Sequence, residues 1–274
     1  MGNKTEEKDL GRNYWDSVLT GTNVAGSEDF WRAHMGEIYR ELQARWAGKA
    51  RPERILKTDL YDEAISTHNL VSLFKGRCDH FIGTDVSLEI ASAAKRRMAN
   101  RPGGWDAIAV TDARNLAFRS GVFDEILSNS TLDHFTNAGD IAESLEELRR
   151  TLRPGGTLVV TLDNPWNPVV FLRNRLPYGL LRFLGIIPFY MGATLSRSAL
   201  VRLLESIGFE VQESTAIAHA PRIVAIRVGR ILDGWGNRRI SEWFRKFLRL
   251  CERLEGLPTR YMTGYYVAAK AVKR

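Results

Sequence analysis

Three apolar runs in this chain stop on small polar or acidic residues, at Gly83-Thr84-Asp85, Thr111-Asp112-Ala113 and Asn129-Ser130-Thr131, and a further run follows the turn Arg153-Pro154-Gly155-Gly156. Segments with helical spacing separate them. Strands joined through helices run parallel, because a crossover long enough to hold a helix returns the chain to the end of the sheet where it began. All carboxyl ends of such strands lie on one edge, and ligands bind along that edge. The polar residues that close the runs therefore mark a candidate pocket for a nucleotide-like ligand.

The element pattern extends in both directions. Ile55 to Thr58 is a short first strand, followed by helical spacing from Asp62 to Phe74. His80 to Thr84 is the second strand, Ser87 the expected N-cap, and Leu88, Ile90, Ala91, Ala94 and Met98 the buried stripe of the next helix. Trp105 to Val110 and Val122 to Leu127 are the third and fourth strands. Ile141, Leu145, Leu148 and Leu152 line a helix expected to end at Arg153-Pro154-Gly155-Gly156, with Thr157 to Leu162 as strand five. Ser196 caps a helix that Gly208 ends, Phe209 to Ile217 is strand six, and Tyr265 to Val272 is strand seven. Upstream, Tyr14, Trp15, Phe30, Trp31, Tyr39 and Trp46 are spaced for helices broken around Gly21 and Gly26, where the rings either pack or close over a ligand.

Bulk properties exclude several classes. Cys78 and Cys251 are the two cysteines, far apart and in no paired ligand motif, so neither a disulfide framework nor a zinc pattern is expected, and a reducing cytoplasmic setting suits the chain. Met1 to Leu10 is polar and implies no export signal. The most apolar tract, Val169 to Ala193, is interrupted by Arg173, Arg175, Pro177, Arg182 and Pro188, which argues against a membrane span. The net charge of +7 is concentrated late, in Arg222, Arg227, Arg230, Arg238, Arg239, Arg245, Lys246, Arg249 and Arg253. There Ile240, Trp243, Phe244, Phe247, Leu248, Cys251 and Leu254 form the apolar side of a basic amphipathic helix.

Phe81 to Ser87, Val110 to Phe118, Val122 to Phe135 and Leu145 to Asn164 together resemble the strand motifs and Arg-Pro-Gly-Gly turn of the class I S-adenosylmethionine-dependent methyltransferases, in a style similar to relatives of the quinone-biosynthesis C-methyltransferases. The resemblance covers about Arg54 to Val211. It implies an α/β fold with a Rossmann-like, mostly parallel seven-stranded sheet and helices on both faces. An N-terminal helical cap over residues 1–50 would precede the domain at 51–274, with a substrate lid at 168–195 and a basic helical insertion at 220–257. It also implies S-adenosylmethionine as cofactor. Asp85 would hold the ribose hydroxyls and Val86 would pack on adenine. Asp112 and the Ala113 N–H would read the base, Asn129 would attend the methionine part, and His134 is the candidate catalytic base.

The family's glycine-rich first loop is replaced here within the glycine-free stretch Arg54 to Ala64, by Asp59, Leu60 and Tyr61. Glycine serves there because it reaches positive φ and lets a ligand approach the backbone. Asp59 or Asp62 could instead pair with the cationic groups of the ligand and Thr58 could donate to its carboxylate, or Asp59 could cap a helix starting near Tyr61. Asp85, Asp112 and His134 likewise have plainer readings as capping, turn-forming and packing residues. The apolar lid with its arginines points to a small hydrophobic or lipid-like acceptor carrying an anionic group, reached from a membrane surface through the basic helix, or else to an ordinary packed lid. A catalytically inactive binding or scaffolding protein and an RNA methyltransferase stay open as alternatives, the latter with no appended RNA module in the sequence.

Overall fold

The computed structural model describes residues 11–21, 29–46, 48, 51–66, 71, 76–98, 106–183 and 190–274. Two helices, α1 (Arg12–Gly21) and α2 (Asp29–Trp46), precede β1 (Arg54–Thr58), the short α3 (Tyr61–Ile65), β2 (His80–Asp85), α4 (Leu88–Met98), β3 (Ala107–Val110) and β4 (Phe123–Asn129). A single 3-10 turn, Leu132–His134, leads to α5 (Ala138–Thr151) and β5 (Leu152–Asp163). The chain continues through α6 (Pro168–Arg173), α7 (Tyr178–Phe183), α8 (Arg197–Ser206) and β6 (Phe209–Ile217). It ends with α9 (Arg222–Trp235), α10 (Arg238–Cys251), a 3-10 segment at Glu252–Gly256, α11 (Arg260–Thr263) and β7 (Tyr266–Lys273). Met1 to Leu10, Gly26, Trp105, most of the helix expected to reach Phe74, and residues 184–189 of the expected lid lie outside the described residues.

The seven strands form one sheet in the order β3-β2-β1-β4-β5-β7-β6, parallel except for β7, which runs antiparallel between β5 and β6. The Rossmann-like, mostly parallel α/β fold is therefore present. Strand order reverses between β1 and β4, and that switch point is where a crevice opens above the carboxyl ends of the strands.

Alternation along the strands divides the core into two layers. Ile55, Leu127, Val159 and Ala268 pack with α2, α9 and α10 on one face, whereas Leu56, Ile126, Leu158, Val160 and Ala269 pack with α5 and α8 on the other. A third cluster, built from Val18 of α1, Leu60, Tyr61 and Ala64 around α3, and Ile90, Ala91 and Ala94 of α4, closes the sheet edge near β2. Hydrophobic stripes fix these placements: Ile141, Leu145 and Leu148 recur at four- and three-residue spacing and are wholly buried. Helix caps agree with the sequence, since Ser196 accepts from the Ala199 N–H and Ser87 Oγ accepts from the Ile90 N–H.

One boundary differs. Strand five was expected to begin at Thr157, after a turn, yet the ladder already pairs Leu152 with Phe123 and resumes at Thr157 with Glu125. The Arg153 to Gly156 stretch is thus an irregularity within β5, with Gly155 at φ +74°, because ladder bonds on both sides hold it to β4. Among the described residues no helix is long and apolar enough to cross a membrane.

The face bearing α2 and α9 has little slack. A Cβ added at Gly229 of α9 would lie 2.7 Å from Phe30 Cβ of α2. Gly229→Ala is expected to push the two helices apart and destabilise the fold by about 1–3 kcal/mol. The measurement is the midpoint of urea unfolding, and an unchanged midpoint would show that the helix pair repacks freely.

Candidate functional site

Loop 58–61 solves its missing-glycine problem with the backbone of Asp59 itself, which takes φ +69°. Aspartate is among the few residues that tolerate this left-handed region, because its short side chain can bond locally. Here Asp59 Oδ1 accepts the Tyr61 N–H at 2.6 Å, and the Asp59 carbonyl accepts from Lys57 Nζ. Lys57 also pairs with Glu63 at 3.0 Å in the buried start of α3. Asp59 therefore holds the first N–H of the helix, just ahead of the Leu60 N-cap, and lines the pocket at once. Asp62 is instead paired with Arg32 of α2 at 3.2 Å.

Asp85 ends β2 with both carboxylate oxygens engaged: Oδ2 accepts the Leu60 N–H at 2.9 Å and Oδ1 the Ser87 N–H at 2.8 Å. Each oxygen keeps further acceptor capacity. Burial, followed by the charge of Asp59, pushes the Asp85 carboxyl up to about 7, and burial raises Asp59 as well. Asp112 is held by Arg114, which donates from its backbone N–H at 2.8 Å, from Nε at 3.0 Å and from Nη2 at 2.7 Å, and these bonds leave its carboxyl below the ordinary value despite burial. Its turn-forming role is thus realised, and Arg114, unremarked in the sequence, becomes part of the rim.

These residues share one cavity of about 330 Å³. Thr58, Asp59, Asp85, Val86, Asp112, Ala113 and His134 all line it. Asn129 does not. It faces an adjoining chamber of about 100 Å³ with Trp31, Tyr39, Met191, Arg222 and Tyr266, because β4 ends on the α2 side of the switch point. Asp59, Tyr61 and His134 line both spaces and form the partition. Thr131, marked in the sequence as part of a strand end, also lines the larger cavity, as do Phe135 and Asn137 of the β4–α5 connection, to which the sequence reading assigned no role.

His134 is fixed from two sides. Its Nδ1 lies 3.2 Å from the Tyr190 carbonyl, which can only accept, so Nδ1 carries the proton and Nε2 the lone pair of the neutral ring. Nε2 is 3.9 Å from Asp133 Oδ1, and Trp15 of α1 meets the imidazole edge-on at 4.8 Å. Burial, with the neighbouring Asp163, pushes the Asp133 carboxyl up to about 6. Arg173, in the tract expected to form a lid, is buried in an ion pair with Asp163, because α6 turns back over the end of β5. Arg175 is exposed and stacked on Phe171, and the side chain of Arg182 lies outside the described residues.

Residues 61–160 match the family model of a methyltransferase domain. The chain shares the fold of class I S-adenosylmethionine-dependent methyltransferase structures. Among solved structures it is similar to a SAM-dependent methyltransferase from Methanosarcina mazei, with 15% identity, a TM-score of 0.54, and coverage of 85% of this chain and 96% of that one. It is also similar to geranyl diphosphate C-methyltransferase from Streptomyces coelicolor A3(2), bound to Mg2+, geranyl diphosphate and S-adenosyl-L-homocysteine, with 16% identity, a TM-score of 0.57, and coverage of 87% and 77%. The 4+2-cyclase SpnF is another similar fold, at 15% identity, TM-score 0.53, and coverage of 86% and 79%. One curated protein, an uncharacterized 37.1 kDa protein in transposon TN4556 of Streptomyces fradiae, is 37% identical over 79 residues. That match takes in 29% of this chain and spans 21% of the relative's length.

The raised carboxyls set a pH dependence. A carboxyl whose folded pKa exceeds its unfolded value of 3.8 stabilises the fold when protonated, and that contribution disappears as pH rises through the folded value, about 7 for Asp85. Melting temperature is expected to decline between about pH 4 and about pH 7 in the wild type, the span from the unfolded to the folded value. In Asp59→Asn, which keeps the Tyr61 cap but removes the neighbouring charge, the decline should be shallower. Parallel profiles for the two proteins would contradict this coupling.

Proposed function

We propose that the protein transfers a methyl group from S-adenosylmethionine to a small acceptor seated in the inner chamber. The observation that carries this reading is the pair of carboxylates, Asp59 half-buried and Asp85 buried, crowded into one cavity and both displaced toward their protonated forms. A ligand bearing an ammonium and a sulfonium relieves that crowding, so the donor set fits this cofactor. The cavity volume is within the range of small-molecule sites, and Thr84 Oγ1 is buried beside it with no hydrogen-bond partner among the described residues.

The residues divide the task by position. Asp85 offers its remaining lone pairs to the ribose hydroxyls, Val86 packs on the base, and Asp112 and the Ala113 N–H meet the base edge. Asp59 and Thr58 hold the amino-acid end. Asn129 attends the acceptor rather than the methionine part, since it lines the inner chamber. When bound, the cofactor supplies an electrophilic methyl carbon. His134 Nε2, at the partition, takes the acceptor's proton, and the Asp133 carboxylate supports the imidazolium that results. Orientation in a closed pocket contributes the rest of the rate.

The inner chamber suggests the acceptor class. Trp31, Met35, Tyr39 and Tyr266 give it flat apolar walls, while the Arg222 guanidinium, 5.9 Å from the Trp31 ring centroid and 5.3 Å from that of Tyr265, supplies positive charge. An apolar acceptor with an anionic group suits this lining, and geranyl diphosphate, the ligand named for one structural neighbour, is of that general kind.

Isothermal titration with S-adenosylmethionine should show one-to-one binding. Asp59→Asn is expected to weaken it by about tenfold or more, equivalent to ~1.4 kcal/mol. Absence of heat at millimolar donor would sink the enzymatic reading. With an acceptor that supports turnover, His134→Ala should lower kcat by about 10²–10⁴ while leaving donor affinity intact. An unchanged kcat would reduce His134 to a packing residue.

A further inference from the structure

The hairpin of α9 and α10 has a feature that neither the cavity nor the fold explains. Gly236, at φ +62°, and the Asn237 cap turn the chain sharply between the two helices. Ala225, Gly229 and Leu232 of α9 and Phe244 and Leu248 of α10 are buried against the body of the protein. Beside each buried stripe runs a second apolar stripe that is exposed. On α9 it is Val224, Ile231 and Trp235; on α10 it is Ile240, Trp243, Phe247 and Leu250. The spacings of seven and four, then three, four and three, keep each set on one side of its helix. Trp235 and Trp243 are 69% and 68% exposed, far more than scattered surface aromatics require, and Trp243 stacks on Phe247 with centroids 6.3 Å apart.

Charge on the same hairpin is nearly all of one sign. Between Arg222 and Cys251 there are eight basic residues against Asp233 and Glu242, on a chain whose net charge is +7. Arg249 is paired with Glu37, and Arg245 lies 4.9 Å from the Phe30 ring, so these two serve α2. Arg227, Arg230, Arg238, Arg239 and Lys246 have no ion pair among the described residues. At helical spacing, Arg227 borders the exposed stripe of α9, and Arg239 and Lys246 border that of α10.

We propose that this hairpin is a docking surface for an anionic lipid bilayer, lying in the interface with the two tryptophans inserted and the bordering cations at the headgroups. An apolar stripe edged by Lys and Arg, with aromatic rings at the boundary, matches the physical requirements of such a surface. A nucleic acid would satisfy the cations, but it gives Ile231, Ile240 and Leu250 no apolar partner, so lipid is the better complement. The proposal stands apart from methyl transfer, since binding to vesicles needs no turnover. The two meet at Arg222, which opens α9 and lines the inner chamber.

The test is co-sedimentation of the full chain with vesicles of phosphatidylcholine alone and of phosphatidylcholine mixed with phosphatidylserine. Partitioning onto the anionic vesicles should exceed that onto the neutral ones at least tenfold. The Trp235→Ala/Trp243→Ala double variant should lose at least tenfold in partitioning at an unchanged melting temperature, and Arg239→Glu/Lys246→Glu should lose the preference for anionic lipid. Equal or negligible sedimentation on both vesicle types overturns the proposal. So does a concentration-dependent dimer in analytical ultracentrifugation that the tryptophan variant abolishes, which would mean that a second copy covers the stripes. Salt-sensitive RNA binding that survives loss of the tryptophans, without vesicle binding, would overturn it in favour of nucleic acid.

Discussion

The Lys57 ammonium holds the site in shape. Burial alone would push it down, yet Glu63 and Asp59 keep its pKa above the ordinary value. It draws together the last turn of β1, the first turn of α3 and the carbonyl of a left-handed Asp59. A buried ion pair of this kind is a weak source of net stability, because desolvation offsets most of its attraction. Its geometry is what matters, since a non-glycine residue at positive φ persists only where its surroundings over-determine it. The clamp explains how a loop without glycine leaves the cavity open: the backbone makes the turn that glycine would make, and a carboxylate takes the position that glycine would leave bare.

That exchange changes the electrostatics of the rim. A glycine loop offers neutral N–H groups, whereas this one places Asp59 close enough to Asp85 to raise its carboxyl. Beside His134, burial and the charge of Asp163 raise the Asp133 carboxyl, and Arg173 of α6 pairs with Asp163. The pocket is thus built around carboxylates that folding alone leaves uncomfortable, an arrangement suited to cationic ligands. The lid's return path is tied to the same point: the Gly192 N–H donates to the Asp133 carbonyl, and a Cβ on Gly192 would fall 1.9 Å from the Phe135 carbonyl oxygen. Lid and candidate base therefore share one rigid contact.

Much of this was legible in the chain. The apolar runs that end at Thr58, Asp85 and Val110 are strands for the local reason that period and length say so, and Phe209 to Ile217 matched its strand end for end. Ser87 and Ser196 cap where their side chains can reach the next turn. Less legible were residues whose roles depend on partners distant in sequence. Asp112 appears as a free rim carboxylate until Arg114 folds over it. Arg173 appears only as a charge interrupting an apolar tract until α6 brings it to Asp163. Asn129 follows the same pattern as Asp85, yet strand order places it in a different chamber. Nothing in the first loop announces that an aspartate will adopt a left-handed backbone.

The sequence by itself determined the strands, their caps and the edge where polar residues gather, because hydrophobic period and capping chemistry act over a few residues. Which carboxylates crowd one another, which arginine is buried, and how the rim divides into a larger and a smaller space were decided only by the tertiary structure. Those properties depend on desolvation and on distances between groups tens of residues apart, and both come into being when the strands are set side by side.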